Sequence, residues 1–240
     1  EEARSIIPLL PDMFDEPFAD SSQIPTYLVS QLTRRHVTVA LSGDGGDEIF
    51  AGYNRYLLGD AVRRRMHCLP LCVRRSLARL LLNLSTDRWD QLCRLIPGIQ
   101  MPSHPGQKLH KLAAILPAED EMAMYRQLIS YWPEGSNPVP GGTPVDHPAW
   151  NDDRGTGLTG YIERMQLIDG LTFLPDDMLT KVDRASMAVA LEARVPLLDH
   201  RVVEFAWSLP HHMRVRNGEG KWLLRRILEQ HVPTGLTSRA

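Results

Sequence analysis

Apolar residues recur at helical spacing along most of this chain, and only one segment reads as a strand. That segment is Val37-Thr38-Val39-Ala40-Leu41, where β-branched residues favour extended backbone. A glycine loop, Ser42-Gly43-Asp44-Gly45-Gly46, follows it, and a helix is expected from Asp47 to about Gly59. Upstream, the polar turn Asp15-Glu16-Pro17-Phe18-Ala19-Asp20-Ser21-Ser22 leads into a helix with Pro25 in its first turn. Residues 60–98 alternate arginines with leucines at helical spacing, as at Leu77, Leu80, Leu81 and Leu84, and Pro70 and Pro97 interrupt them. Shorter helices are expected over 107–132. The stretch 133–160, dense in proline and glycine and holding Asn151-Asp152-Asp153, reads as a loop.

Helical spacing returns after Gly160. Tyr161 to Leu174 forms one expected helix, and Pro175-Asp176-Asp177 opens another that runs to about Leu191. Met178, Leu179, Val182, Ala185 and Val189 make its apolar face; Lys181, Asp183, Arg184 and Ser186 lie on its polar part. Arg194 to Leu198 should be extended, because residues before proline avoid helix. Asp199 can cap a helix over 200–209. The last helix spans about Gly220 to His231, with Leu223, Leu224, Ile227 and Leu228 toward the core. One strand amid many helices has no stability of its own, so its sheet partners are expected upstream of this chain. Both ends look cut: residue 1 is glutamate, and a helix is already under way there.

Composition narrows the class. The chain has 240 residues, 43% hydrophobic and 23% charged, which suits one substantial globular domain or two small ones. A formal net charge of -2 argues against nucleic-acid binding driven by bulk charge, and the cluster Arg63-Arg64-Arg65 with Arg74 and Arg75 reads as a solvated helix face. Cys68, Cys72 and Cys93 fit no disulfide framework and read as small core hydrophobes in a reducing, cytoplasmic compartment. No apolar run approaches the roughly twenty residues of a membrane span, and no signal peptide is recognisable.

The chemistry concentrates in the glycine loop. A strand–loop–helix turn aims backbone N–H groups at an anion, and glycines let the chain approach a ligand closely. Yet Asp44, Asp47 and Glu48 would repel a bare phosphate. A hard cation bridging carboxylate and phosphate oxygens resolves this, and magnesium is the obvious one. The competing reading is that Asp47 and Glu48 only favour the positive end of a helix. Lys221, just after Gly218-Glu219-Gly220, falls in the first turn of the last helix, where a cation opposes the dipole by a few tenths to about 1 kcal/mol. A polyphosphate nearby would justify it; an exposed lysine whose stem escapes the dipole is the alternative. Glu192, Arg194 and Asp199 read as structural. Ser42 is not in a nucleophile elbow, no lysine follows the glycines as in a Walker loop, and the adjacent His211 and His212 point apart.

Taken together, the motifs resemble the asparagine synthetase family. Leu41-Ser42-Gly43-Asp44-Gly45-Gly46-Asp47-Glu48-Ile49-Phe50-Ala51-Gly52-Tyr53 is similar to its second acidic loop. The Asp15–Ser22 turn, Lys181 to Ala188 with Leu191 to Asp199, and Gly220-Lys221-Trp222-Leu223-Leu224-Arg225 follow in family order, leaving only 60–160 divergent. The resemblance implies an α/β ATP-pyrophosphatase fold, helix-dominated here, with residues 1–240 as the C-terminal part of the synthetase domain. It implies ATP and Mg2+, and activation of aspartate as an acyl-adenylate that glutamine-derived ammonia converts to asparagine. By motif, Asp47 is similar to the magnesium ligand, Lys221 to the lysine that stabilises phosphate charge, and Ser42, Gly43, Gly45 and Gly46 to the nucleotide loop. Asp44 stands where asparagine-forming members carry glutamate, in a position to orient a substrate or accept a proton. An N-terminal glutaminase domain in cis is implied, and a homodimer is the expected assembly; no nucleic acid or membrane partner is.

Two features depart from the family. Its pyrophosphate loop, Ser-Gly-Gly-x-Asp-Ser, does not occur in this sequence, and no glutaminase domain does. The chain by itself is therefore expected to be inactive within an active longer protein. An amidotransferase acting on a polysaccharide or peptide carboxylate, or a non-catalytic helical scaffold, are the alternatives.

Overall fold

The strand expected before the acidic loop forms, and it has a partner within the chain. In the computed structural model, β1 (Val39–Leu41) pairs in parallel with β2 (Glu192–Arg194), Val39 opposite Glu192 and Leu41 opposite Arg194. This corrects the expectation that every sheet partner lies upstream. The structure describes residues 2–66, 68–95, 104–130, 132, 139–142, 147–150, 157–158, 160–233 and 236. Most of the proline- and glycine-rich stretch, Asn151 to Asp153 included, lies outside the described residues. The remainder is helical, in agreement with an α/β domain dominated by helices.

The chain divides into two compact units: Glu1–Tyr53 with Gln166–Ala240, and Asn54–Met165. In the first, the Gln23–Arg34 helix packs against the Thr180–Met187 helix. Ile6, Tyr27 and Ala185 form their shared core, flanked by Leu10, Met13, Ile24, Leu28 and Val189. A second core joins Ile49, Phe50 and Ala206 with Leu198, Val202, Val203, Leu223 and Leu224. It ties the acidic-loop helix to the last two long helices. Burying such side chains contributes about 1.5–3 kcal/mol each. In the second unit, Tyr56, Tyr125 and Ala113 are buried among the helices Asn54–Met66, Pro105–Ile115 and Glu121–Ile129.

Several helices differ from the spacing-based expectation. The helix from Asp47 to Gly59 is two: a single turn, Gly46–Ile49, then Asn54–Met66. The break falls at Ala51, which has φ 54. Pro175 does not begin a separate helix; a π-helical segment, Leu174–Leu179, runs directly into Thr180–Met187. Wide turns accommodate the missing proline N–H. Lys181 and Ser186 are buried rather than solvent-facing. Ile227 and Leu228 are exposed, as are Leu80, Cys68 and Cys72, so the cysteine core reading holds only for Cys93. Arg63 is not merely solvated: it pairs with Asp60 and Glu121, while Arg74 donates to the Leu116 and Ala118 carbonyls. Asp199 caps His200–Ser208 as expected, and Arg201 holds its carboxyl below the ordinary range. Arg194 pairs with Glu192 at 2.6 Å, on the surface rather than partly buried. Among the described residues, no helix is long and apolar enough to cross a membrane.

The buried Lys181 holds the upstream polar turn. Its Nζ donates to Asp20 Oδ2 at 2.5 Å, and Ser22 donates to Asp20 through both N (2.8 Å) and Oγ (2.7 Å). Burial alone would raise the Asp20 carboxyl, but the hydrogen bonds from Lys181 and Ser22 outweigh it and hold it at about 2. A carboxyl with a lowered folded-state pKa stabilises above its unfolded value of 3.8 and loses that contribution as pH falls through about 2. Asp20→Asn should therefore cost about 1–2 kcal/mol at neutral pH, the carboxylate being only partly screened by solvent. Urea unfolding at pH 7 and near pH 2 checks this, since the difference between the two proteins should vanish at the acid end.

Candidate active site

The loop after β1 is built where parallel strands end, the usual place for ligands in open α/β sheets. Ser42 continues the pairing, its N donating to Arg194 O at 2.8 Å. The chain then turns at Gly45, whose φ of 79 a side chain would resist and whose added Cβ would collide with Leu198. A Cβ on Gly46 would lie 2.9 Å from Leu197 Cδ1 and 3.9 Å from Lys221 Nζ. Gly43 has open space instead. Of these glycines, Gly45 is required by its backbone and its close packing, Gly46 is closely packed against the Leu197 side chain, and Gly43 leaves room above the loop.

The three acidic side chains take different positions. Asp44 is half-buried and accepts a hydrogen bond from Ser42 Oγ. Asp47 is half-buried and meets Lys221, Nζ to Oδ1 at 2.8 Å. Glu48 is only 2% exposed and accepts from Tyr53 Oη at 2.7 Å. Burial pushes the Glu48 carboxyl up; the Tyr53 hydrogen bond opposes the rise, and Asp47 and Asp169 add to it. Glu48 is thus turned into the protein, and Asp44 and Asp47 remain the carboxylates of the outer loop. That lowers the repulsion a phosphate would meet.

Lys221 is not in the first turn of the last helix. It is the capping residue before Trp222–His231, with φ 54. Its N donates to Phe50 O at 2.9 Å, and a Cβ on the preceding Gly220 would collide with the Ala51 carbonyl. The lysine is therefore tied by its backbone to the segment that follows Asp47. An added Cβ on Gly52 would strike both Asp47 Oδ1 and Lys221 Cε. Asp47 and Lys221, far apart in sequence, meet at the end of β1; Asp44 sits at the loop's other end against Ser42. Lys181, Glu192, Arg194 and Asp199 have local partners of their own.

Among the described residues, no three or more His, Cys, Asp or Glu side chains converge into a metal cage. A single half-buried carboxylate does suit magnesium, which is commonly bound by one or two carboxylates plus phosphate oxygens and water. Sequence reasoning did not find Gln166 or Arg214, which act on the loop helix, and held Tyr53 only as the end of the loop motif, with no role for its hydroxyl. Gln166 carries no motif signal, because a polar residue inside a helix ordinarily means solvent.

The architecture and loop define an α/β domain whose acidic glycine loop and one lysine meet at a strand end. A sequence model of the asparagine synthase family matches residues 1–240, and the chain belongs to that family. It is 30% identical to the glutamine-hydrolyzing asparagine synthetase 1 of Bacillus subtilis (strain 168) over 254 aligned positions, covering 100% of this chain and 35% of that protein. The glutamine-hydrolyzing asparagine synthetase 3 of the same organism is 34% identical over 87 residues, 36% of this chain and 14% of its own. The glutamine-hydrolyzing asparagine synthetase of Gallus gallus is 46% identical over 50 residues, 20% of this chain and 9% of its own. The chain thus spans about a third of the relative it matches from end to end.

Proposed function

We propose that the full-length protein containing this chain is an ATP-dependent, amide-forming ligase that makes asparagine. The aspartate side-chain carboxylate attacks the α-phosphorus of ATP, the bond to the β-phosphate oxygen breaks, and pyrophosphate leaves. Ammonia released from glutamine then adds to the acyl carbon of the adenylate. AMP departs, the amine gives up its proton, and asparagine remains. The observation that carries this reading is the 2.8 Å contact between Lys221 and Asp47 at the mouth of a glycine loop.

Lys221 places a fixed cation where negative charge grows on the α-phosphate and the departing pyrophosphate. Its backbone bond to Phe50 O fixes where the side chain starts, and the contact with Asp47 holds its ammonium end. Asp47 would hold magnesium, which when bound neutralises phosphate charge. The Ser42–Gly46 backbone can come close to a nucleotide, and Asp44 can orient the carboxylate substrate or take a proton. The loop, its glycines and the family membership all support these roles.

We read the fold more finely as the ATP-pyrophosphatase type, with residues 1–240 forming the C-terminal part of the synthetase domain. Parallel sheets are normally covered on both faces. Here Leu41 is 75% exposed on a two-stranded parallel sheet, which supports additional strands from the rest of the protein. The Bacillus subtilis synthetase 1, named as glutamine-hydrolyzing, is about three times as long as the region this chain matches, which supports a glutaminase domain in cis. We expect a homodimeric, cytoplasmic enzyme.

The test is pyrophosphate release from ATP by the full-length protein, with aspartate, with peptide or polysaccharide carboxylates, and with none. Aspartate-dependent release is the expected result. Release with another carboxylate alone would move the substrate and keep the chemistry, a change the aspartate in place of glutamate at position 44 could accompany. Absence of release with every carboxylate would leave a non-catalytic scaffold.

A further inference from the structure

The short Gly46–Ile49 helix that carries Asp47 has the usual difficulty of a one-turn helix: nearly all its carbonyls lack partners of their own. The structure supplies one for each. Gly46 O accepts from Phe50 N at 3.2 Å, and Asp47 O accepts from Gly52 N at 2.8 Å. Glu48 O and Ile49 O are met by a side chain. Both accept from the side-chain amide of Gln166, Nε2 to Glu48 O at 2.5 Å and to Ile49 O at 2.9 Å. The next carbonyl, Phe50 O, accepts from Lys221 N. The amide that anchors the Asp47 turn and the backbone N–H of Lys221 thus donate to consecutive carbonyls, those of Glu48, Ile49 and Phe50.

The orientation of that amide is set by chemistry. Arg214 Nη1 donates to Gln166 Oε1 at 3.1 Å, and an arginine can only donate. The oxygen must face Arg214, which leaves both amide hydrogens for the two carbonyls. Gln166 is 1% exposed and Arg214 4%, with the guanidinium 5.6 Å from the centre of the Trp207 ring. Water cannot easily replace these bonds, so losing the amide takes a buried donor from each of the two carbonyls. The helix turn would then shift relative to Phe50 O, which holds Lys221.

We propose that Gln166, oriented by Arg214, is a positioning residue that sets the Asp47–Lys221 geometry through the Glu48 and Ile49 carbonyls. This rests on the reading of Asp47 and Lys221 as the phosphate-activating pair. Gln166 touches neither substrate nor metal in this role. Its effect should appear in kcat for pyrophosphate release, and only while Lys221 is present to be positioned.

The experiment is a double-mutant cycle in the full-length protein, reading aspartate-dependent pyrophosphate release. Gln166→Met keeps the side-chain volume and removes both donors. It should lower kcat about ten- to a hundredfold, the size expected when a catalytic group is misplaced by an ångström or less. In a Lys221→Ala background the same substitution should cost less than about threefold, because the group it positions is gone. A purely architectural role would give the same loss in both backgrounds, and multiplying losses would overturn the proposal. So would a Gln166→Met protein with wild-type kcat. A Lys221→Ala protein at the wild-type rate would instead overturn the activity assignment and this inference together. If Gln166→Met does not fold, Arg214→Lys runs the same cycle: it keeps a cation but loses the geometry that turns the amide. A non-multiplying loss of about three- to tenfold is expected there, and a multiplying one overturns the proposal.

Discussion

Asp47→Asn in the full-length protein should lower aspartate-dependent pyrophosphate release by about a hundred- to a thousandfold while leaving the protein folded. Asparagine is nearly isosteric with aspartate, and the turn is held by backbone and by Gln166 rather than by the Asp47 carboxylate. What disappears is the charge that faces Lys221 and would hold magnesium. Lys221→Ala should cost about 2–4 kcal/mol of transition-state stabilisation, as other preorganised electrostatic groups do. Magnitudes separate this from a structural role. The Lys221 and Asp47 side chains are 30% and 36% exposed, so their ion pair is worth at most about 1 kcal/mol to stability. Unfolding measurements should therefore show small losses beside large kinetic ones. Glutamine hydrolysis should survive both substitutions at least in part. If pyrophosphate release remains at the wild-type rate in either variant, that residue is structural.

Gly220→Ala should have the largest effect on stability among the site glycines, about 1–3 kcal/mol. The added Cβ would overlap the Ala51 carbonyl oxygen, and this is backbone rather than the end of a flexible side chain. Ala51 is itself at φ 54, between Phe50, whose carbonyl holds Lys221, and Gly52, whose N–H holds the Asp47 carbonyl. Relief of the overlap must move one of those two anchors, so the variant should lose activity as well as stability. Gly43→Ala is the internal comparison. A Cβ there meets nothing within 4 Å, and its stability should stay within about 0.5 kcal/mol of wild type. Equal unfolding midpoints for the two variants would show that the close approach of Gly220 to Ala51 is wrong.

Much of the local structure was legible in the residues. The run Val37 to Leu41 announced a strand through its β-branching, Pro25 lay in the first turn of its helix, and Asp199 capped the one that follows it. These features depend on neighbours a few positions away, which spacing and propensity capture. The helix break at Ala51 was not legible, because it answers to Gly220 and Lys221, some 170 residues downstream. Nor was the π-helical run at Leu174–Leu179, where the sequence offered only a proline and an apparent start.

Charged residues on helices misled for a common reason. Lys181 and Glu48 each have a polar sequence context, and each is buried because one distinct partner accepts or donates to it, Asp20 for the lysine and Tyr53 for the glutamate. Sequence alone determined the types and order of the candidate groups: an acidic glycine loop after a strand, and a lysine near the start of the last helix. Tertiary structure decided which of them meet. Parallel pairing of β1 with β2 joins segments about 150 residues apart, and the Phe50 carbonyl fixes where Lys221 begins. Periodicity reports only which face of an element is apolar; which distant element supplies the missing hydrogen-bond partner is settled when the chain closes on itself.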